Sequence, residues 1–209
     1  KKYEYFIRHT AGLGKSPTQY DPNKYEHFHY HCDVLVVGAG ISGLVATLLA
    51  ASANLKVLLI EQEPRLGGES NLTKDTTGKS QHTKIILNQI EKFNNVKIIN
   101  NTSVFAYMHF NYLLACQKIN NSNIRQIIWK IRAKKVVLAT GSIERFLTFD
   151  NNDRPGIMLS NSARKYLNFY NANPGKKIII FTNNDQAYQT AIDFKIMNIE
   201  VEGIIDVRK

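Results

Sequence analysis

The sequence predicts an α/β protein, on three observations. An apolar strand runs into a glycine-rich turn and a helix, a second strand ends on an acid, and a strand, helix and strand recur near the end of the chain. Strands that alternate with helices form parallel sheets, because each crossover helix packs on a sheet face. We expect a Rossmann-like domain in a three-layer β/β/α or α/β/α arrangement, with a small antiparallel meander and the start of a second Rossmann-like unit.

The first strand ends in a glycine-rich turn that reads Gly-Ala-Gly-Ile-Ser-Gly over residues 38–43. Gly38 permits the tight turn after the strand at 33–37. Gly40 lets the backbone approach a pyrophosphate without an intervening Cβ, and Gly43 lets the next helix pack closely on the strand. The unpaired N–H groups and the positive dipole end of that helix favour an anion, with no basic side chain required. The turn therefore predicts a pyrophosphate site.

An acid follows the second strand, where such sites bind a ribose. Glu61 comes directly after the strand at 56–60 and 18 residues after Gly43. Its carboxylate can accept hydrogen bonds from both hydroxyls of an adenosine ribose and would repel a 2′-phosphate, so NAD or FAD is favoured over NADP. Glycine-rich turns also occur in α/β proteins that bind no dinucleotide. The acid is what favours an FAD/NAD(P)-binding domain.

Two further loops join the candidate site. Gly67 and Gly68 follow the acid, and adjacent glycines suit a backbone that passes close to a ligand, with an ordinary turn as the alternative. The strand at 135–139 ends in Thr140 and Gly141. In a nucleotide-binding sheet such a strand end can bring backbone amides beside the dinucleotide, where small side chains leave room.

Between these motifs the chain alternates helical and extended segments. The patterns predict an irregular arm over 1–31, helices at 44–53 and about 83–94, a short strand at 96–99 and antiparallel strands at 103–108, 112–119 and 125–131. The alternating His27, His29 and His31 are interpreted as part of a linker, because no carboxylate or cysteine cluster accompanies them.

The end of the chain predicts a second strand-helix-strand unit. Helices are predicted at 160–170 and 186–197, and strands at 177–181 and 201–205. The turn at 182–187 holds no glycine, and its bulky and acidic side chains would hinder and repel a pyrophosphate. We expect this unit not to bind a dinucleotide in the usual way. The predicted domains are the arm at 1–31, a first dinucleotide-binding domain at 32–150 and a truncated second unit at 151–209.

Composition argues against several other functions. The most apolar stretch, 41–53, is too short to cross a bilayer, and no signal peptide is visible, so the expected protein is cytoplasmic and has no membrane contact. The net charge of +10 comes mostly from scattered lysines, which predicts a solvated surface and no nucleic-acid binding. Cys32 and Cys116 form no Cys-x-x-Cys pair, so neither a disulfide reductase nor a zinc site is expected.

Over nearly its whole length the chain resembles the alpha subunit of heterotetrameric sarcosine oxidase, within the superfamily of two-dinucleotide flavoprotein reductases. The order of fingerprint, acidic strand end, Gly-Gly loop, meander and Ala-Thr-Gly is similar to that of the superfamily. The segments similar to the family are His31–Gly38, Trp129–Lys134, Ala139–Arg145, Asn151–Met158, Phe181–Asp185 and, in the arm, Arg8–Gly14.

The resemblance implies a complex that demethylates sarcosine to glycine, passes the one-carbon unit to tetrahydrofolate and produces hydrogen peroxide. Beta, gamma and delta subunits are the implied partners, and FMN and FAD are implied elsewhere in the complex. The alpha subunit is implied to hold NAD, and no catalytic residue is expected in this segment. By similarity, the NAD contacts are Gly38, Gly40, Ser42, Gly43, Glu61, Gln62, Gly67, Gly68, Glu69 and Val104.

Alpha subunits of that family are far longer than 209 residues. The chain is therefore expected to be an N-terminal fragment that lacks the folate-binding part and is poorly stable and inactive alone. Two alternatives stay open. The first turn could hold FAD in an FAD- and NAD(P)H-dependent reductase. The chain could also be the corresponding subunit of a hydroxyproline or opine oxidase or dehydrogenase.

Overall fold

The computed structural model describes residues 2–12, 14, 18–72, 79–119 and 123–208. The helices in these ranges are α1 (Lys2–Thr10), α2 (Ile41–Ser52), α3 (Lys79–Ile90), α4 (Ser160–Arg164) and α5 (Gln186–Ile196). The strands are β1 (Lys24–Val37), β2 (Val57–Ile60), β3 (Val96–Ile99), β4 (Thr102–Met108), β5 (Tyr112–Lys118), β6 (Ile124–Leu138), β7 (Lys177–Thr182) and β8 (Glu200–Asp206). Two 3₁₀ helices lie at Gly68–Leu72 and His109–Asn111, and α4 continues as a π-helical segment, Lys165–Phe169.

The larger sheet has the strand order β3-β2-β1-β6-β5-β4. β1 pairs in parallel with β2 and β6, and β2 pairs in parallel with β3. β5 runs antiparallel to both β4 and β6, which is the predicted meander. The carboxyl ends of β1, β2 and β6 therefore meet at one edge of the sheet. Open α/β sheets bind their ligands at this edge.

Buried aliphatic side chains cover both faces of the parallel strands. One face of β1 and β2 packs on α2 and α3 in a cluster that contains Leu44 and Ile90. The other face packs on the meander in a cluster that contains Leu35, Leu113 and Ile131. Successive strand residues alternate between the two clusters, as the period of a strand requires. Helices on one face and meander strands on the other give the β/β/α alternative of the predicted arrangement.

The prediction of an irregular arm over 1–31 is wrong. α1 lies near its start, and β1 begins at Lys24 and pairs with β6 along its length. Aromatic packing explains the extension of β1, since the Phe28 and Tyr30 rings lie 5.3 and 6.3 Å from the ring of Trp129 on β6. Aromatic residues favour strands when they have such cross-strand neighbours. β1 therefore crosses the predicted domain boundary at residue 32.

The alternating histidines also belong to β1, so their interpretation as part of a linker is wrong. His27, His29 and His31 occupy alternate positions of the strand and have exposed side chains. Within the described ranges, no group of three or more histidine, cysteine or acidic side chains is placed to hold a metal ion. The helices in the same ranges include none with the length and apolarity that a membrane span needs.

Two predicted strands, 125–131 and 135–139, form the single strand β6. Arg132 and Lys134, which lie between the two predicted strands, are exposed and alternate with the buried Ala133. Exposed and buried residues in alternation are typical of a strand whose two faces differ in environment. β6 thus reaches from the meander to the predicted site without interruption.

The helix predicted at 83–94 is shifted toward the N-terminus and ends at Ile90. The side chain of Asn95 explains the early end, since its Nδ2 donates to the Ala51 and Leu55 carbonyls at 3.0 and 2.8 Å. These bonds hold the chain against the end of α2 as it enters β3. An apolar spacing cannot show such a contact, because its partners lie about 40 residues away in sequence.

The second unit contains α4, β7, α5 and β8, of which the last three form the predicted strand-helix-strand, with β7 and β8 parallel. The predicted helix at 160–170 is present as α4 and its π-helical continuation, and it packs on α5 through Ala163, Leu167 and Phe194. The outer face of the small sheet exposes Ile179 and Phe181. This face and the segment after β6 border a mostly apolar cavity of about 810 Å³.

Candidate dinucleotide site

The glycine turn after β1 is packed tightly at two of its three glycines. Gly38 has a φ of +99°, and a Cβ on it would lie 2.3 Å from the Ala139 carbonyl oxygen. A Cβ on Gly43 would lie 1.9 Å from the Gly38 carbonyl oxygen. Neither position accepts a side chain at these distances. By contrast, a Cβ on Gly40 would meet no heavy atom of the described residues within 4 Å, so its backbone stays accessible.

α2 begins directly after this turn and leaves its first N–H groups to a ligand. Gly40 is the N-cap with an extended backbone, φ −67° and ψ 178°, and makes no side-chain cap. The first intrahelical bond runs from the Leu44 N–H to the Gly40 carbonyl at 2.9 Å. The N–H groups of residues 41–43 precede that bond, at the end of the helix where the dipole favours an anion. Ser42 is exposed there and adds a hydroxyl.

Glu61 lies beside the same turn and is buried, with 7% of its surface exposed. Its Oε2 accepts a hydrogen bond from the Ala39 N–H at 2.6 Å, and its Oε1 accepts one from the Glu63 N–H at 3.0 Å. Each carboxylate oxygen keeps a second lone pair, with which it can accept a hydroxyl of a ligand. The backbone therefore fixes the acid while leaving it able to bind a sugar.

The loop at Gly67 and Gly68 lies against the turn. The Gly67 N–H donates to the Ala39 carbonyl at 2.8 Å. A Cβ on Gly68 would lie 2.9 Å from the Gly40 Cα, so these two backbones are in contact. The φ values of Gly67 and Gly68 are +118° and +53°, which bulky residues rarely adopt. The loop therefore forms a wall beside Gly40 that depends on its two glycines.

Residues after β6 flank the turn on the other side of β1. The Ala139 N–H donates to the Val37 carbonyl at 2.8 Å, which extends the pairing of β6 with β1 up to the turn. Thr140 and Gly141 follow and are exposed, as is Gln62 after β2. The structure thus brings most of the predicted site residues to one edge of the sheet.

Val104 and Glu69 lie further from the turn. Val104 is half-buried in β4 and packs against the core shared with the meander. β4 begins beside the acid, since the Thr102 N–H donates to the Glu61 carbonyl at 2.9 Å. The Glu69 carboxylate is directed to the second unit, where it accepts a hydrogen bond from Arg164 Nη1 at 3.4 Å.

In the turn after β7, side chains of the turn form hydrogen bonds with its own backbone. At the start of α5, the Gln186 N–H donates to the Asn184 Oδ1 at 3.0 Å. The Asn184 N–H donates to the Thr182 hydroxyl at 3.1 Å, and that hydroxyl donates to the Asn184 carbonyl at 3.0 Å. The bond to Gln186 satisfies one helix N–H, whereas the corresponding N–H of Ile41 in the first turn is left to a ligand.

An arginine closes the same turn from the end of β8. Arg208 Nη2 lies 2.6 Å from an Asp185 oxygen and 2.7 Å from an Asp206 oxygen. Its guanidinium holds the pKa of Asp206 well below the ordinary value. The Tyr188 hydroxyl also donates to Asp206, at 3.0 Å, and this bond raises the pKa of Tyr188. The acid at the end of β8 is therefore already occupied by partners within the unit.

The two cysteines are free and lie apart on the large sheet. Cys32 on β1 lies opposite Ala133 of β6, whereas Cys116 on β5 lies opposite Ile128. Burial raises the pKa of the Cys32 thiol to about 11, so its reactive thiolate does not form at neutral pH. This geometry provides no dithiol for a disulfide exchange reaction.

Sequence reasoning missed a buried ion pair that faces the nucleotide loop. Arg164 Nε lies 2.8 Å from Asp193 Oδ2, and the two residues have 1% and 0% of their surfaces exposed. The sequence contains one weak signal, an acid beside the apolar stripe of α5 that includes Ala191 and Phe194. An isolated acid at such a position has to find a partner when it is buried.

The residues at the carboxyl edge of the large sheet fit one dinucleotide. The accessible Gly40 and the start of α2 suit a pyrophosphate, and Glu61 keeps lone pairs for a ribose. The turn of the second unit offers neither feature. Among the described parts of the chain, the chemistry thus supports a single dinucleotide site of the expected kind.

Comparisons with known proteins agree with this geometry. The sequence model of the family "Pyridine nucleotide-disulphide oxidoreductase" matches residues 32–191. The sarcosine oxidase subunit alpha of Rhizobium meliloti (strain 1021) is 35% identical, over 100% of this chain and 22% of the relative. That of Corynebacterium sp. (strain U-96) is 36% identical, over 95% of this chain and 22% of the relative. The chain spans about a fifth of these relatives, which confirm the resemblance seen in the motifs.

A solved structure confirms the predicted fold. L-proline dehydrogenase from P. horikoshii is 27% identical and superposes with a TM-score of 0.69, over 92% of this chain and 38% of that protein. The family match and this likeness together show a Rossmann-like domain of the kind that binds a flavin or a pyridine nucleotide.

Proposed function

The chain belongs to the pyridine nucleotide-disulphide oxidoreductase family, and we propose that it is the NAD-binding part of a sarcosine-oxidase-type alpha subunit. The first turn holds NAD as a bound dinucleotide, and the flavin that oxidises the amine is carried by another subunit. The sarcosine oxidase alpha subunits that match all or nearly all of the chain support this assignment.

The difference between the two turns carries the proposal. Neither helix has a side-chain bond from its N-cap residue, but Gly40 before α2 is accessible, whereas at the start of α5 the Gln186 N–H is already bonded to the Asn184 side chain. An enzyme that relays a hydride from a nicotinamide to a flavin needs room for two such cofactors. One open turn and one closed turn therefore favour a held NAD over a hydride relay.

The residues of this chain bind and orient the dinucleotide. Bound NAD supplies a nicotinamide ring that can accept a hydride. The N–H groups of residues 41–43 would bind the pyrophosphate, and Glu61 would accept hydrogen bonds from the hydroxyls of the adenosine ribose. The same carboxylate repels a 2′-phosphate, which favours NAD over NADP. Gly68 lies against Gly40, where it would shield a bound pyrophosphate from water on that side.

For the whole protein we propose the oxidation of sarcosine to glycine, with transfer of the one-carbon unit to tetrahydrofolate and production of hydrogen peroxide. The partners are beta, gamma and delta subunits, and FMN and FAD lie elsewhere in the complex. The names of the matched proteins support a secondary amine as substrate, because sarcosine and L-proline are both secondary amino acids.

A second candidate is a flavin-dependent dehydrogenase with FAD at the first turn. An acid at the end of the second strand binds the adenosine ribose of FAD as well as that of NAD. The likeness to L-proline dehydrogenase favours this candidate and extends the substrate class to cyclic or substituted amines, such as hydroxyproline or an opine.

Analysis of the released nucleotide tests the choice between the candidates. The full-length protein is purified with its partner subunits and denatured, and the supernatant is separated by liquid chromatography and identified by mass spectrometry. NAD equimolar with the alpha chain is the expected result. A supernatant that contains FAD and no NAD would contradict the proposal and favour the second candidate.

A further inference from the structure

A short segment lies between the candidate dinucleotide site and the second unit. This segment is the 3₁₀ helix Gly68–Leu72, which follows Gly67. On the side of the dinucleotide site, the Gly67 N–H donates to the Ala39 carbonyl at 2.8 Å, and the Gly68 backbone contacts the Gly40 backbone. The segment therefore forms part of the wall against which a pyrophosphate would bind. Its other side faces the second unit.

Two side chains of the second unit hold that other side. Arg164 and Asn168 are four residues apart in one helical segment, so they project from the same face. Arg164 Nη1 donates to Glu69 Oε1 at 3.4 Å, and Asn168 Nδ2 donates to the Leu72 carbonyl at 2.6 Å. From α5, Gln186 Nε2 also donates to Glu69. The segment is thus held near both of its ends.

A buried acid fixes both of these side chains. Asp193 Oδ2 accepts from Arg164 Nε at 2.8 Å and from Asn168 Nδ2 at 3.1 Å. Gln189 Nε2 donates to the other oxygen of Asp193 at 3.0 Å. Arg164 and Asp193 are almost fully buried, and a buried charge that loses its partner is strongly destabilised. The guanidinium therefore has one well-defined position from which it reaches Glu69.

We propose that Arg164 is a positioning residue for dinucleotide binding. Anchored on Asp193, it holds Glu69 and thereby keeps Gly68 against Gly40, beside the pyrophosphate. The inference rests on the proposed function and adds that the second unit, without binding a dinucleotide itself, sets the affinity of the first site. By thermodynamic linkage, the bound dinucleotide must in turn favour the docked position of the second unit.

The test measures NAD affinity in a double-mutant cycle. NAD is titrated by calorimetry into the nucleotide-depleted full-length protein with its partner subunits. Arg164→Lys keeps the charge but loses the planar fork that bonds two acids at once. Glu69→Gln removes the charge at a half-exposed position and leaves the fold intact. Each single variant is expected to weaken binding about tenfold, and the double variant no more than that, because both changes break one connection.

The matched control is Lys165→Met, which breaks the neighbouring ion pair with Glu63 at 2.9 Å. This pair also joins the two units but does not hold the 68–72 segment, so NAD affinity is expected to change less than about twofold. A general loosening of the contact between the units would instead weaken NAD binding in the control as much as in Arg164→Lys, which would overturn the inference.

The remaining outcomes separate the inference from the proposed function. If the wild-type protein binds no NAD, the proposed function fails and the inference fails with it. If the wild-type protein binds NAD and Glu69→Gln binds it equally well, only the inference fails. The inference would also be overturned if the losses of NAD affinity in the two single variants added up in the double variant. Glu69 would then contact the nucleotide independently of Arg164. If Arg164→Lys does not fold, the NAD affinity of Glu69→Gln tests the inference by itself.

Discussion

The turn after β1 and the turn after β7 each join a parallel strand to a helix, but they leave different groups free. In the first turn, Gly38 and Gly43 are closely packed, α2 has no side-chain cap, and the backbone of Gly40 is accessible. In the second turn, the Asn184 side chain accepts a hydrogen bond from the Gln186 N–H, the first N–H of α5. The strand-helix-strand topology is shared, so the groups that satisfy the helix N-terminus decide whether the turn can bind a phosphate.

The acids at the ends of β2 and β8 differ in the same way. Glu61 accepts hydrogen bonds from two backbone N–H groups and retains lone pairs for a ligand. Asp206 instead bonds to the side chains of Arg208 and Tyr188. An acid at this topological position can therefore serve a ligand or the fold, and its partners show which.

The largest expected effect follows from adding a methyl group at Gly43. In Gly43→Ala the new Cβ would lie 1.9 Å from the Gly38 carbonyl oxygen, so α2 must move away from β1. We expect a loss of about 3 kcal/mol in the free energy of unfolding, at the upper end for overpacking. Urea denaturation of the full-length protein measures it. The matched control in the second unit is Gly203→Ala, whose Cβ meets no described atom within 4 Å. Equal losses in both variants would contradict the packing argument.

The next largest effect is expected on NAD affinity rather than on the free energy of unfolding, in a variant of Gly40. In Gly40→Val the added Cβ meets no described heavy atom within 4 Å, and the backbone angles of −67° and 178° suit valine. We expect a loss of at most about 1 kcal/mol in the free energy of unfolding, because valine is a poor N-cap, but NAD affinity lower by about 100-fold, because a steric clash of roughly 3 kcal/mol corresponds to two factors of ten. Calorimetric titration with NAD measures the loss. Asn183→Val in the second turn is the control and should bind NAD normally; a comparable loss there would mean that both turns serve one site.

The three glycines of the first turn show why the geometry of the candidate site could be predicted from the sequence. Gly38, Gly40 and Gly43 act within one short loop, so their spacing alone determines the turn and its contact with the helix. Glu61 is also fixed by spacing, because the helix and the second strand return the chain to the same edge. Local motifs of this kind require no knowledge of how distant segments pack.

Contacts between distant segments could not be predicted. The first half of β1 contains aromatic and histidine residues without an aliphatic alternation, and its packing partner Trp129 lies about 100 residues away. The pair of Arg164 and Asp193 depends on how two helices of the second unit meet, and the contact of Arg164 with Glu69 depends on how that unit docks. Neither element shows a local pattern from which its partner could be identified.

A smaller effect is expected from the charge of the first acid. Glu61→Gln keeps the shape of the side chain but leaves only one oxygen to accept hydrogen bonds. NAD affinity should fall about tenfold, because the free energy of one hydrogen bond to a charged group corresponds to about that factor. Discrimination against NADP should also decrease. Titrations with NAD and NADP measure both. Asp206→Asn is the matched change in the second unit, and an equal change of the NAD-to-NADP ratio in that variant would contradict the assignment of the ribose to Glu61.

The smallest effect concerns the exposed arginine that closes the second turn. Arg208 lowers the pKa of Asp206 below its ordinary value of 3.8, so this carboxylate stabilises the fold at pH values above 3.8 and loses that contribution as the pH falls. Arg208→Ala should therefore be slightly less stable than the wild type at neutral pH, and the two urea midpoints should approach each other progressively as the pH falls below 3.8 toward the lowered pKa of Asp206. NAD affinity should not change, because the arginine belongs to the turn that binds no dinucleotide. A stability difference that persists in acid would show that Arg208 acts by packing rather than by its charge.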